Sequence, residues 1–278
     1  MDSNWVQEIL EKALRTWSER QQEIWDLITT PPQTIRGGRI WAVIENIHGG
    51  LTATAYALLV LFFLIGVVRT TTDFHELKRP EQAARLFIRF AVAKAVVGHS
   101  MEWLLALYQI VQGIILKIAG SAGPPAAAPV LPEIIVQKIR EVSFIKSIPL
   151  WIVGLLGSLM VTALSILMIL TVYSRFFSIY MHAAIAPVPL AAFAGEGTQR
   201  IAWQFVRSFL GVCLQGAIIV LACAIYSAFA ASPPAVADSS ASAVQMVWDY
   251  MLQLIFDLLV LVGAVKLSER IVKEMIGF

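Results

Sequence analysis

The stretch IPLWIVGLLGSLMVTALSILMILTVY, residues 148–173, contains no Asp, Glu, Lys or Arg. An α-helix needs about 20 predominantly apolar residues to cross the roughly 30 Å hydrocarbon core of a bilayer. This stretch therefore predicts a transmembrane helix. Its small residues Gly154, Gly157 and Ser158 predict a face on which another helix can pack closely.

The composition of the whole chain leads to the same class of protein. Of its 278 residues, 58% are apolar and only 14% are charged, against roughly 25% charged residues in a soluble domain. The mean hydropathy is +0.73. These values exclude a soluble enzyme and a disordered chain, and the net charge of only +2 argues against a nucleic-acid module that binds by bulk charge.

Further apolar stretches predict an all-α, polytopic membrane protein with about five transmembrane helices. The predicted spans are residues 50–68, 97–118, 148–173, 208–232 and 244–265. The second span is predicted as the end of one long helix from Pro80 to Ala119, since no proline interrupts it. Residues 120–132 and 232–240, which are rich in Gly, Ala, Ser and Pro, predict loops.

The N-terminal segment has a different pattern. From Ser3 to Thr30, apolar residues recur at helical spacing along one face, and charged residues occupy the other. Such a helix either lies in the membrane interface, which Trp5, Trp17 and Trp25 would suit, or packs on its own protein. We divide the chain into an extracytoplasmic helical region, residues 1–47, and a transmembrane domain, residues 48–278.

Pro187 and Pro189 interrupt an apolar segment that follows the third span and contains no acid, Lys or Arg from Phe176 to Gly195. Two prolines so close together cannot sit in one regular helix. Broken backbone at membrane depth is tolerated only where it is buried in protein or lines a wet cavity. The segment is therefore predicted to be broken, and either re-entrant or interfacial, with its freed carbonyls facing protein or water.

The distribution of Lys and Arg predicts the orientation. Basic residues concentrate in residues 69–94, 175–207 and 266–273, whereas residues 232–242 contain none. Because cytoplasmic loops are enriched in Lys and Arg, the N-terminus is predicted outside and the C-terminus inside.

No pattern of catalytic, cofactor-binding or metal-ligating residues is evident. The four histidines, at positions 48, 75, 99 and 182, are scattered, and no phosphate-binding loop of the form GxxxxGK[ST] occurs. Cys213 and Cys223 lie ten residues apart in one predicted helix, too far for a disulfide, and are expected to be packing residues. The chain is therefore predicted not to be an enzyme.

Two acids in the fifth span are the remaining candidates for a site. Asp257 lies close to mid-span, where a carboxylate costs roughly 2.5–3.5 kcal/mol. It either lines a polar passage or subunit contact, or makes a buried hydrogen bond that fixes helix packing. Asp249 lies nearer the outer end, where a solvated position is the better interpretation.

The order of these parts resembles a known family. The features are the amphipathic N-terminal region, the basic segment beginning Phe74-His-Glu-Leu-Lys-Arg79-Pro80, the segment Ala186-Pro187-Val-Pro189-Leu190-Ala-Ala-Phe193, Trp203 with Arg207, and the ending from Ser268 to Gly277. Together they resemble the TrbL-like polytopic inner-membrane subunit of type IV secretion systems, in particular the branch of Gram-positive conjugative elements. The protein is expected to lack the large soluble extension that some members carry.

The resemblance implies a role in conjugative DNA transfer. It implies a homo-oligomer in the bacterial cytoplasmic membrane that forms or scaffolds the route of single-stranded DNA and its relaxase. Its partners would be membrane lipids and other secretion subunits, including separate ATPases and a coupling protein. The alternatives are a small polytopic transporter, which five spans without an inverted repeat disfavour, and a membrane scaffold that conducts nothing.

Overall fold

The computed structural model describes residues 4–71, 80–123, 131–141, 147–229 and 242–277. Within these ranges the chain is helical and has no strand. The helices are α1 (Asn4–Thr29), α2 (Arg39–Thr71), α3 (Pro80–Gly98), α4 (Ser100–Ala122), α5 (Glu133–Glu141), α6 (Ser147–Ile185), α7 (Pro187–Leu190), α8 (Gln199–Phe229) and α9 (Ala243–Ile276). Short 3₁₀ turns cover Ile35–Gly38 and Ala191–Ala194.

Five of the described helices are long and apolar enough to cross a membrane. Their apolar ranges are Arg39–Val68, Ser100–Ala122, Ile148–Ile185, Gln199–Ala228 and Ala243–Ile276. The prediction of an all-α, polytopic membrane protein is therefore confirmed. The predicted spans 50–68, 148–173 and 244–265 lie wholly within longer helices, because a helix continues past the hydrocarbon core until proline, glycine or a loop ends it. The span predicted at 97–118 begins three residues before α4, and the one predicted at 208–232 extends past the described end of α8.

The structure refines two predictions about helix boundaries. The predicted long helix from Pro80 has a one-residue interruption at His99, between α3 and α4, although the backbone hydrogen bonds from His99 N to the Ala95 oxygen and from Trp103 N to the His99 oxygen continue across it. Beyond the third predicted span, α6 continues without a break through Arg175 to Ile185. The predicted break is therefore confined to the residues around Pro187. Most of the two predicted loops, together with Phe74–Arg79, lies outside the described residues.

One compact unit contains Met1–Thr29, Ile115–Tyr173 and Ile218–Ile271. In it, α1 runs alongside α6 in the same direction. The Trp5 and Trp151 rings lie 5.9 Å apart at one end, and the Tyr173 hydroxyl lies 3.4 Å from Glu23 Oε1 at the other. The apolar face of α1 is buried, from Val6 to Ile28. Of the two interpretations of this helix, the structure therefore shows packing on its own protein.

The other compact unit contains Thr30–Ile114, Ser174–Ala217 and Val272–Phe278. Here α2 packs against α3, and both helices pack against the short pieces Pro187–Leu190 and Ala191–Ala194. Two glycines allow the backbones to approach. A Cβ at Gly195 would lie 2.6 Å from the Phe62 carbonyl oxygen, and a Cβ at Gly66 would lie 3.1 Å from the Glu196 nitrogen. The boundary proposed at residue 47 remains a prediction.

Candidate functional site

Several polar side chains are buried in this apolar chain. Among the described residues they are His48, Ser100, Gln112, Ser165, Arg175, Gln215 and Ser268. Buried polar groups need hydrogen-bond partners, and ionisable groups within membrane helices mark functional sites by default. Two clusters in the second unit are therefore candidates. We name them the break cluster (His48, Ser100 and the Ala183 carbonyl) and the arginine cluster (Arg175, Tyr108 and Gln112).

The break cluster begins with a carbonyl that a proline leaves free. In an α-helix the carbonyl of residue i accepts from the N–H of residue i+4. Pro187 has no N–H, so the carbonyl of Ala183 lacks that donor. His48 Nδ1, on α2, lies 2.7 Å from this oxygen. Since a carbonyl oxygen can only accept a hydrogen bond, Nδ1 of His48 carries a hydrogen and donates a hydrogen bond to the Ala183 oxygen.

The other side of the His48 ring reaches a second helix break. His48 Nε2 lies 3.0 Å from Ser100 Oγ, and Ser100 Oγ also lies 2.7 Å from the Val97 carbonyl oxygen. Ser100 is the first residue of α4, just after the break at His99. Immediately before that break, a Cβ at Gly98 would lie 2.8 Å from the Tyr56 hydroxyl. His48 therefore connects α2 to the ends of two interrupted helices.

The hydrogen-bonding distance between Ser100 Oγ and His48 Nε2 resembles that between a catalytic nucleophile and its general base. The ring is also oriented from behind by a carbonyl, as such pairs require. Ser100 is nevertheless 0% exposed and His48 is 8% exposed. A substrate cannot reach the hydroxyl in this conformation, so the arrangement joins helices and does not form an open catalytic site.

The segment that contains Pro187 and Pro189 folds into two short helical pieces. Pro187 and Leu190 are buried, as are three of the four residues of the following 3₁₀ turn. The Thr198 hydroxyl donates to the Ala192 carbonyl at 2.7 Å. The segment therefore packs into its own protein, against α2 and α3.

The arginine cluster places a cation among neutral partners. Arg175, 1% exposed, donates from Nε to the Val212 carbonyl at 3.1 Å and from Nη2 to the Cys213 carbonyl at 3.2 Å. The remaining nitrogen of the guanidinium, Nη1, is buried and has no hydrogen-bond partner among the described residues. A Cβ at Gly216 would overlap the guanidinium, so glycine makes the room for it.

Tyr108 and Gln112 complete this cluster from α4. The Tyr108 hydroxyl donates to Gln112 Oε1 at 2.9 Å and lies within electrostatic range of the Arg175 guanidinium. A guanidinium keeps its charge under ordinary conditions. The cluster can therefore hold α4, α6 and α8 together, and both N–H groups of Arg175 Nη1 lack a hydrogen-bond partner among the described residues.

The predicted acidic candidates do not join either cluster. Asp257 is half-buried on α9, and its Oδ1 is enclosed without a hydrogen-bond partner among the described residues. It lies within electrostatic range of Tyr226 on α8. Asp249 is exposed.

The small residues of α6 make contacts within the chain. A Cβ at Gly154 would lie 3.6 Å from Val6 of α1, and one at Gly157 would overlap Met251 of α9. The Ser158 hydroxyl donates to the Leu155 carbonyl of its own helix at 2.9 Å. Gly154 and Gly157 are therefore already occupied by neighbouring helices of the same chain.

The sequence-based predictions did not include His48 or Arg175, although a feature of the sequence pointed to each of them. Pro187 predicted a free carbonyl four residues earlier, and a side-chain donor on another helix, such as His48, is one of the groups that can satisfy it. Arg175 separates two uncharged stretches, residues 148–174 and 176–195. An isolated cation between two apolar stretches predicts a buried charge.

Within the described ranges, no group of three or more His, Cys, Asp or Glu side chains is arranged to hold a metal ion. Cys213 and Cys223 are buried free cysteines.

Comparison with known proteins identifies the family. The family model described as TrbL/VirB6 plasmid conjugal transfer like protein matches residues 18–187, which is more than half of the chain. The matched range contains every side chain of both clusters and ends at Pro187. No curated protein and no solved structure matches the chain. The described fold and this match establish that the chain is a membrane protein of the TrbL/VirB6 plasmid conjugal transfer-like family.

Proposed function

We propose that this chain is an integral subunit of a conjugative type IV secretion apparatus, and that it forms or scaffolds the inner-membrane channel for DNA and protein as an oligomer. The observation that carries this proposal is the family match over residues 18–187. Five apolar helices in the same chain support a role within the membrane itself.

In the proposed apparatus, other subunits supply the energy for transfer. The chain is not an enzyme, and separate ATPases and a coupling protein supply the energy for transfer. It contacts the other secretion subunits, further copies of itself and, transiently, single-stranded DNA with its relaxase. The closed state of the Ser100 and His48 pair supports a non-catalytic role, because neither side chain is open to a substrate.

The decisive experiment is a mating assay with the chain deleted and restored. Donor cells without it should lose transfer by several orders of magnitude, and expression of the chain in trans should restore it. During mating, formaldehyde crosslinking followed by capture of the chain should recover the transferred strand if the chain forms the channel. Recovery of partner subunits without DNA would identify a scaffold, and transfer unaffected by deletion would refute the proposal.

Oligomer formation has its own measurement. The purified chain in mild detergent should sediment as a species larger than the 30.6 kDa monomer. A monomer at every concentration, together with substrate flux by the chain alone in proteoliposomes, would favour the small transporter instead.

We also propose the orientation, with the N-terminus outside and the C-terminus inside the cytoplasmic membrane. The concentration of Lys and Arg in residues 69–94 supports it. In a variant without native cysteines, single cysteines at Lys12 and Met275, both exposed, should react with an impermeant thiol reagent from opposite sides. Ser268 is unsuitable for this test because it is buried. Reaction of both positions from one side would contradict the orientation.

A further inference from the structure

Asp257 is the one charged residue within a long apolar stretch of α9. Between Asp249 and Lys266, residues 250–265 contain no other acid and no Lys or Arg. At 1.5 Å per residue, Asp257 lies about 12 Å along the helix axis from Asp249 and about 14 Å from Lys266. A long basic side chain can extend toward the headgroups, but an aspartate side chain has a single methylene group and cannot. The carboxyl group of Asp257 therefore stays at its own depth in the membrane.

The helices that pack against α9 in the same unit bring no charge to Asp257. A Cβ at Gly157 of α6 would overlap Met251 of α9, and Tyr226 of α8 lies within electrostatic range of Asp257. Residues 148–173 of α6 and 218–229 of α8 contain no Asp, Glu, Lys or Arg. The phenol of Tyr226 is neutral at pH 7 and supplies no positive charge. Among the described residues, Asp257 has no cation within ion-pairing distance.

One oxygen of the carboxyl group also lacks a hydrogen-bond donor. Oδ1 of Asp257 is enclosed and has no hydrogen-bond partner among the described residues. Burial in an apolar environment disfavours the charged form of an acid, and only a nearby cation or hydrogen-bond donors can offset that cost. The enclosed Oδ1 has neither, so the neutral acid is the form of Asp257 that this environment favours.

We propose that Asp257 is a proton-binding site within the membrane, where its side chain is a neutral carboxylic acid at pH 7. The site takes a proton as its ligand and exposes a carboxylic acid to apolar reagents dissolved in the lipid. This inference requires only that the chain is inserted in a membrane, so it stands apart from the proposed role in DNA transfer.

A neutral acid at this depth has a chemical signature, which is reaction with an apolar carbodiimide such as dicyclohexylcarbodiimide. The acid proton moves to one nitrogen of the reagent, and the carboxyl oxygen forms a bond to the central carbon. The resulting O-acylisourea rearranges to a stable N-acylurea when the acyl group migrates from oxygen to nitrogen. Asp257 thereby gains the mass of one reagent molecule, and no group leaves.

The test uses the full chain in membrane vesicles from cells that produce it. The vesicles are treated with dicyclohexylcarbodiimide at pH 5 and at pH 7, and mass spectrometry of peptides from the captured chain measures the initial labelling rates at Asp257 and Asp249. The protonated fraction of an ordinary aspartic acid falls by about a hundred-fold between these pH values. We expect the rate at Asp257 to change by less than about three-fold, because a bound proton keeps the acid form present throughout.

Asp249 provides the matched control on the same helix, since it is exposed. At pH 7 it should be labelled at least about a hundred-fold more slowly than Asp257. Asp257→Asn should abolish labelling at position 257, and Asp257→Glu should retain it because glutamic acid can hold the same proton. Asp249→Asn should leave the rate at Asp257 unchanged.

A labelling rate at Asp257 that falls about a hundred-fold from pH 5 to pH 7 would overturn the proposal, since the side chain would then titrate as an ordinary acid. Absence of labelling at both pH values would overturn it as well, and would indicate a carboxylate that is paired with a cation of another subunit. Mating efficiency is a separate readout, so failure of the proton site is distinguishable from failure of the proposed function.

Discussion

Replacing His48 with leucine should destabilise the protein through one identified atom, the carbonyl oxygen of Ala183. Leucine fills most of the volume of the ring but cannot donate the 2.7 Å hydrogen bond from Nδ1. Ser100 keeps its contact with the Val97 carbonyl, so the serine does not lose its only partner. The cost is therefore that of a single unsatisfied buried carbonyl, about 1–3 kcal/mol.

A second substitution tests this explanation, because it returns the missing donor. In Pro187→Ala, the new N–H can donate to the Ala183 carbonyl. Ala186 already has helical backbone angles, φ −48° and ψ −43°, so the donor needs no rearrangement. His48→Leu should then cost less in the Pro187→Ala background than in the parent. We expect a coupling energy of about 1 kcal/mol or more in a double-mutant cycle.

The assay is unfolding in mixed micelles, followed by far-UV circular dichroism, for the parent chain, both single variants and the double variant. Pro189→Ala is the matched control, since it adds an N–H four residues after Ile185 and should not couple to His48. A coupling energy near zero for Pro187→Ala, or an equal coupling for Pro189→Ala, would refute the assignment of His48 as the donor to the freed carbonyl.

Three further predictions concern single positions. Gly195→Ala should lower the free energy of unfolding by about 1–3 kcal/mol, because its Cβ would lie 2.6 Å from a backbone oxygen of α2. Gly113→Ala, whose Cβ would have no heavy atom within 4 Å, should be neutral or stabilising in the same unfolding assay. Gly216→Ala should lower the melting temperature in the parent chain but have little effect in an Arg175→Ala background, because the guanidinium that it would overlap is then absent; an equal loss in both would show that the glycine serves another contact. Asp257→Leu should insert into the membrane normally but impair mating or oligomer formation. If Asp257→Asn mates normally while Asp257→Leu does not, the role of Asp257 is packing, and if both variants mate poorly, a charged or titrating carboxylate is required. Normal mating with Asp257→Leu would show that the carboxylate has no function.

Much of the architecture follows from local sequence. An uncharged stretch such as residues 148–173 must be helical within lipid, because only a helix satisfies its own backbone there. Helical periodicity likewise predicted α1 nearly to its ends, Asn4 and Thr29. Pro187 and Pro189 predicted the interruption after α6, since a ring without an N–H acts on its own turn. These interactions join residues that are a few positions apart, so the sequence alone predicts them.

The break between α3 and α4 could not be predicted in this way, because no proline marks it. Gly98 lies where the hydroxyl of Tyr56 approaches, and that approach exists only after α2 has packed against α3. The partner of the amphipathic α1 was equally undetermined. Its apolar face could suit lipid or protein, and the choice depends on contacts such as that between Trp5 and Trp151, which are distant in sequence.

The sequence by itself therefore determined the membrane class, the helical content and the position of the proline break, because these depend on hydrophobicity and on backbone chemistry within one turn. Only the tertiary structure decided which donor meets the carbonyl of Ala183 and which groups surround Arg175. His48 is 135 residues from Ala183, and Val212 is 37 residues from Arg175. Hydrogen bonds of this kind depend on which helix faces become neighbours, and packing selects those neighbours among many apolar surfaces of nearly equal hydrophobicity.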